Sequence, residues 1–295
     1  MARICPVLVL ASLLAACVSD PLSEGRTAGI GDEGDAGASE PAAPAGPLVP
    51  SVRQDLSAWT CRADGAAQRV AFFDADSTLR VSKSGAPTAD DAGDVNILPF
   101  VAATIADLDR RGYLVAIVSN QGGIASHHQT HEDAQGALAF TVSQLAALGA
   151  PVAYFDYAEA YDEYRKPEIG MGTRLDEHLT QLCGVGIDRA GSMMIGDSAY
   201  KKNVDDPSPD GREADDFSNS DRLFAEHFGV AFSEPTDVFG WRALGVYNIS
   251  TEADLQALLD AMQVEAGRLV ETGLDPVRAA LLRDEVAAIR ATDGL

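Results

Sequence analysis

Asp74 and Asp76 stand two residues apart, directly after the apolar run Val70-Ala71-Phe72-Phe73. Carboxylates at that spacing repel each other, and a divalent cation or a proton held by one of them relieves the repulsion. Ser119 opens a second group, Ser119-Asn120-Gln121-Gly122-Gly123. Its hydroxyl can donate to a phosphate oxygen, and the backbone N–H groups that follow can line an anion nest. Lys166 sits in Arg165-Lys166-Pro167, where the proline restricts its backbone just ahead of a helical pattern. Its chemistry would be to neutralise phosphate charge. Asp197 follows Met193-Met194-Ile195-Gly196, so another acid ends another apolar run. Three carboxylates gathered in one place form an oxygen-rich site suited to Mg2+. Taken singly, each residue has an ordinary use as a turn, a helix cap or a solvated lysine.

The elements that must carry these residues alternate between two kinds. Strands are expected at 70–73, 114–118, 152–155, 193–195 and 230–232, each short, apolar and rich in β-formers. Helices are expected between them. One runs from Pro99 to Arg111 and stops at Gly112. Another opens on the capping pattern Thr130-His131-Glu132-Asp133 and reaches about Leu148. Two more cover 170–182 and 221–228, and two terminal helices cover 251–262 and 275–291. Such alternation means an α/β fold, with a central parallel sheet flanked by helices. Ligands of open α/β sheets bind beyond the carboxyl ends of the strands, where Asp74, Ser119 and Asp197 fall.

The four groups, in this order, resemble the motifs of the haloacid dehalogenase-like (HAD) phosphatases. The nearer likeness is to the polynucleotide kinase 3′-phosphatase family, over Val70 to about Phe239. Ser119-Asn120-Gln121 before Gly123-Ile124 resembles one of its motifs, and Tyr164-Arg165-Lys166-Pro167 with Gly170-Met171 resembles another. Asp216-Phe217-Ser218-Asn219-Ser220-Asp221-Arg222-Leu223-Phe224-Ala225 resembles its longest signature. The resemblance implies a Rossmann-like HAD fold with minimal or no cap. It implies that Asp74 is the nucleophile, forming an aspartyl-phosphate, and that Asp76 protonates the leaving group and then activates water. It implies phosphate binding by Thr78, Ser119, Asn120 and Lys166. Mg2+ would be held by Asp74, Asp76 (through its carbonyl) and Asp197, with Asp221 behind them.

Two departures stand out. Ser77 replaces the glycine usual between the second Asp and the Thr, and a serine does not take φ > 0 cheaply. Ser198-Ala199-Tyr200 replaces the family's Ala-Ala-Gly-Arg run after Gly-Asp, which bears on substrate recognition more than on chemistry. No Gly-x-x-x-x-Gly-Lys-[Ser/Thr] occurs, so no 5′-kinase half is present in this sequence. His127, His128 and His131 cluster, but in a loop approaching a helix, where a solvated role is commoner than Zn2+ ligation.

Outside the motifs, residues 1–16 read as a signal peptide, with Arg3 ahead of a short apolar core. Leu14-Ala15-Ala16-Cys17 is similar to the bacterial lipobox, which implies cleavage before Cys17 and its lipidation. Val18 after the cysteine favours the outer membrane by the sorting rule of enteric bacteria. Residues 17–50 then read as an acidic, disordered linker, too poor in large apolar groups to offset its ordering entropy. Residues 51–250 are assigned to the phosphatase domain and 251–295 to a C-terminal helical extension. Cys61 and Cys183 either pair or stay as buried thiols; an exported location permits the pair.

The formal net charge of −23, from 45 acidic and 22 basic side chains, argues against tight sequence-independent binding of nucleic acid. The expectation is therefore a Mg2+-dependent phosphomonoesterase, anchored to a membrane through lipid. Its substrate would be a terminal 3′-phosphate of nucleic acid or a nucleotide. Two alternatives remain: a phosphatase of small nucleotides or sugar phosphates, and a non-catalytic surface binding lipoprotein on the same fold. No protein partner is inferred.

Overall fold

The structure is a computed structural model, and it describes residues 56, 59–208 and 211–293. The signal segment, Cys17 and the 17–50 linker lie outside the described residues. Among the described residues, no helix is long and apolar enough to cross a membrane.

Five parallel strands form the sheet: β1 (Val70–Phe73), β4 (Leu114–Asn120), β5 (Tyr154–Ala158), β6 (Met193–Ile195) and β7 (Ala231–Ser233). Their spatial order is β5-β4-β1-β6-β7, so β1 is central. The chain runs outward from β1 through β4 to β5 and then returns to the other side of β1 at β6. That reversal opens a crevice at the carboxyl end of β1, where doubly wound sheets place their ligands. The expected α/β architecture is the one observed.

Alternation along the strands divides the core in two. Ala71, Phe73, Val115, Ile117 and Ile195 face one side, and Val70, Phe72, Leu114, Ala116 and Met194 face the other. The second side is covered by α3 (Gly170–Cys183) and α4 (Ser220–Phe228). There Phe72 meets Phe224 and Phe228 edge-on, with ring centroids 5.8 and 5.6 Å away. The first side is covered by α1 (Val101–Arg110), α2 (His131–Ala147), α6 (Glu252–Thr272) and α7 (Pro276–Asp293). The two terminal helices are thus part of the main core, through Leu258, Leu259, Met262 and Leu282 among others. A capping box at Thr251 and Asp254 starts α6, which runs ten residues beyond the expected Met262 because its apolar stripe continues through Ala266 and Leu269. Glu285 of α7 accepts the Phe100 N–H at 2.6 Å, tying the last helix to the start of α1.

One hairpin is absent from the sequence reading: β2 (Arg80–Ser82) pairs antiparallel with β3 (Val95–Ile97). Each is a short segment, and a charged residue in the first hid its buried character.

Cys61 and Cys183 form a disulfide with Cα atoms 5.6 Å apart, joining the approach to β1 to the end of α3. The cross-link spans 122 residues of chain. Replacing both cysteines by serine is expected to lower the unfolding free energy by up to about 5 kcal/mol. Denaturant midpoints will show it. Reductant should shift the wild type by a similar amount and leave the double variant unmoved.

Candidate active site

Four loops, those that follow β1, β4, β5 and β6, meet beyond the carboxyl edge of the sheet. Asp74 ends β1, its N–H held by the Ile195 carbonyl at 2.9 Å. The following turn closes tightly, with Ser77 N–H donating to the Arg80 carbonyl at 2.8 Å. Ser77 has φ 60°, the left-handed region that favours glycine. The serine therefore adopts the backbone that a glycine would take there, at a cost of about 1 kcal/mol.

Lys166 is the pivot. It is 2 % exposed, and its Nζ lies 2.6 Å from Asp74 Oδ1 and 2.6 Å from Asp221 Oδ1. A two-way clamp sets its position. The Lys166 N–H donates to Asn120 Oδ1 at 2.9 Å, and Asn120 Nδ2 donates back to the Lys166 carbonyl at 3.0 Å. The Lys166–Pro167 peptide is cis.

Asp197 follows β6 and joins the cluster, which Thr78 fastens to the β1 loop. Asp197 N–H donates to Thr78 Oγ1 at 3.2 Å, and that hydroxyl donates to Asp197 Oδ1 at 3.3 Å. Asp221, at the start of α4, reaches in over Gly196. A Cβ at Gly196 would lie 2.2 Å from Asp221 Oδ2, so only glycine permits this approach. Asp221 Oδ2 in turn accepts the Ser198 N–H at 3.1 Å. The long Asp-Phe-Ser signature then has a physical reading. Asp216 Oδ2 accepts the Ala199 and Tyr200 N–H groups at 3.0 and 2.7 Å, and Arg222 Nε donates to the Ala199 carbonyl at 2.8 Å. Three residues of the signature thereby grip the loop that carries Asp197.

Asp74, Asp197 and Asp221 each offer a carboxylate oxygen, and these oxygens lie within 4.8 Å of one another. With all three carboxylates ionised, the single Lys166 ammonium would leave two negative charges uncompensated in a buried site. A hard divalent cation with oxygen preference fits that donor set and charge. Asp221, read from sequence as standing behind the ligands, is thus a member of the carboxylate cluster itself. The carboxylate of Asp76 is engaged elsewhere. It accepts from Arg80 Nε at 2.9 Å, Arg80 Nη2 at 3.4 Å, Gln121 Nε2 at 2.9 Å and the Ala89 N–H at 3.3 Å.

Of the expected phosphate binders, Lys166 points into the carboxylate cluster. Ser119 is buried, its Oγ accepting from Gln121 Nε2 at 2.8 Å. Thr78 holds Asp197, and both ends of the Asn120 amide hold the Lys166 backbone. Sequence reasoning missed the Gln121 and Arg80 side chains as the setting of Asp76. The available signal was Arg80 itself, a charge between Leu79 and Val81 where an apolar residue would suit a buried segment.

The electrostatics follow from burial. The Asp74 carboxyl is raised to about 7: burial pushes it up most, Lys166 pulls it down, and the negative charges of Asp221 and Asp76 push it up further. Asp197 is held well above the carboxylate range by burial and then by Asp74 and Asp221. Burial opposes the charge on Lys166, but Asp221 and Asp74 outweigh it and raise its pKa. A carboxyl raised on folding binds a proton that the unfolded chain has already lost. Its stabilisation is present below the unfolded value of 3.8 and is lost as pH rises toward about 7. In EDTA, the melting temperature should therefore fall between pH 5 and pH 8, by roughly 5 °C. Millimolar Mg2+ should flatten that fall, because the cation replaces the proton. A melting temperature that ignores both pH and Mg2+ over this range would remove the cation from the site.

Comparison with known proteins places this geometry in context. The family model described as Polynucleotide kinase 3 phosphatase matches residues 69–239. An uncharacterized 20.8 kDa protein of Autographa californica nuclear polyhedrosis virus is 28% identical over 182 residues, covering 61% of this chain and 91% of the viral one. A chain of Acanthamoeba polyphaga mimivirus, provisionally named a bifunctional polynucleotide phosphatase/kinase, is 29% identical over 186 residues. That match covers 58% of this chain but only 41% of the mimivirus protein. Among solved structures, D,D-heptose 1.7-bisphosphate phosphatase from B. bronchiseptica aligns with a TM-score of 0.42 and 19% identity, over 56% of this chain and 79% of that one.

Proposed function

The chain belongs to the polynucleotide kinase 3 phosphatase family and is a phosphatase, and from that premise we propose that it removes terminal 3′-phosphates from nucleic acid or nucleotides with Mg2+ and an aspartyl-phosphate on Asp74. The observation that supports this reading most is the position of Lys166 between Asp74 and Asp221, with Asp197 completing the carboxylate cluster. Mg2+, when held by Asp74, Asp197 and Asp221, would screen the nucleophile from the phosphoryl oxygens.

The chain's own residues divide the work as follows. Asp74 attacks phosphorus while the bond to the leaving oxygen breaks, and the Asp76 carboxyl gives that oxygen its proton. Water then attacks the aspartyl-phosphate, its proton passes to Asp76, and the bond from phosphorus to Asp74 breaks. Lys166 compensates charge on the phosphoryl group throughout. One water is consumed and inorganic phosphate is released.

A second reading, a phosphatase of free nucleotides or sugar phosphates, draws support from the net charge of −23, which repels a polyanion at long range. Phosphate release from a 3′-phosphorylated oligonucleotide, a 3′-mononucleotide and a hexose phosphate separates the two. The first reading expects a kcat/KM at least tenfold higher on the oligonucleotide and the 3′-mononucleotide than on the hexose phosphate, and a preference for the hexose phosphate would reverse it.

The location is proposed on other grounds. Lipid anchoring through Cys17, outside the cytoplasm, is supported by the lipobox-like residues and by the Cys61–Cys183 disulfide, which suits an oxidising compartment.

A further inference from the structure

Arg80 lies beyond the Asp-x-Asp-x-Thr stretch, yet it is fully buried. A buried guanidinium persists only when its donors are matched. Here Nε and Nη2 both face the Asp76 carboxylate, at 2.9 and 3.4 Å. The third group, Nη1, donates to Thr141 Oγ1 at 3.0 Å, and that hydroxyl donates to the Ala137 carbonyl within α2 at 2.8 Å. The planar fork is thus fixed at both ends, by a helix on one side and by Asp76 on the other. The Arg80 backbone also closes the turn, its carbonyl accepting the Ser77 N–H.

We propose that Arg80 is a positioning residue that orients the Asp76 carboxyl group for both proton transfers of the phosphatase reaction. The proposal rests on the functional reading above and adds a residue to it. Gln121 and the Ala89 N–H complete the same setting at 2.9 and 3.3 Å, so the carboxyl group has donors on both oxygens and a single orientation. In the first transfer, the proton on Asp76 takes the place of one of the two long contacts, the Ala89 N–H at 3.3 Å or Arg80 Nη2 at 3.4 Å, and goes to the departing oxygen as its bond to phosphorus breaks. In the second, the proton of the attacking water returns to Asp76. A carboxyl group free to rotate would lose near-attack geometry in both.

Leaving-group basicity separates this role from a merely structural one. A p-nitrophenolate departs without a proton, whereas an alkoxide needs one. The variants are Arg80→Lys, which keeps the charge and loses the fork, and Thr141→Val, which loosens the anchor without touching Asp76. Rapid-quench kinetics with Mg2+ should be run on p-nitrophenyl phosphate and on a 3′-phosphorylated oligonucleotide. In Arg80→Lys, the first turnover of the oligonucleotide should slow by roughly 100-fold. The p-nitrophenol burst should stay within about threefold of wild type, followed by a slow steady state as the aspartyl-phosphate accumulates. Thr141→Val should move the ratio of the two first-turnover rates in the same direction, by about 3- to 10-fold, and it serves if Arg80→Lys does not fold. Equal slowing of both first turnovers, or no slowing of either, would overturn the role given to Arg80. A wild type inert toward both substrates would instead overturn the functional reading beneath it.

Discussion

Asp74→Asn is expected to abolish measurable phosphate release, a loss on the order of 10⁴-fold or more, if the proposed covalent route through Asp74 holds. An amide oxygen is a poor nucleophile toward phosphorus, and Asn cannot form the acyl phosphate from which water regenerates the enzyme. The variant should fold. In the absence of Mg2+ above pH 7, it should be more stable than wild type, because it removes one of the uncompensated buried charges at the site. Phosphate release and thermal melting on the same preparation test both statements. Turnover near the wild-type rate would sink the covalent route.

Lys166→Met combines a catalytic with a structural loss. Methionine fills much of the lysine's volume but leaves Asp74 and Asp221 facing each other without the ammonium that now lies 2.6 Å from each. Removing one partner of a buried ionic group typically costs about 3–5 kcal/mol. In EDTA the unfolding midpoint should drop accordingly, and Mg2+ should restore part of the loss by standing in for the missing charge. Activity at saturating Mg2+ should still fall by about 10²- to 10³-fold, since transition-state charge is no longer matched. Unchanged stability in EDTA would mean that the carboxylates do not bear on the lysine as the geometry indicates.

The fold was largely legible in the amino-acid sequence. The five strands of the sheet are short apolar runs, each ended by a turn or a polar group, and that pattern has few other uses. Boundaries moved where polarity misled. β4 continues through Ser119 and Asn120, whose backbones pair with Tyr157 and Ala158, and β5 is displaced to Tyr154–Ala158. Asp156 in the middle of β5 is fully buried because Arg174 reaches it at 2.9 Å, a long-range pairing that no local pattern announces.

The site was legible by residue and less so by role. Asp74 and Asp197, from strand ends, and Lys166, from the loop ahead of α3, do converge. The use of Thr78 and Asn120 as fasteners depends on distances between loops 46 and 119 residues apart, which spacing along the chain cannot give. Asp221 joined the carboxylates because Gly196 leaves room for it, a property of two residues 25 positions apart. Ser77 was legible as a departure that would be strained at φ > 0, and its backbone does take φ 60°.

The C-terminal hairpin carries a consequence for anyone who would transplant this phosphatase. The stretch recognisable by family ends at residue 239, but Leu255, Leu258, Leu259 and Met262 of α6 are fully buried in the same core as Phe73 and Ile195. Cutting at the recognisable boundary would strip one face of the sheet and leave sticky apolar ground facing water. The smallest portable piece is therefore longer than the recognisable one, and fusion or minimisation should keep the chain to the end of α7.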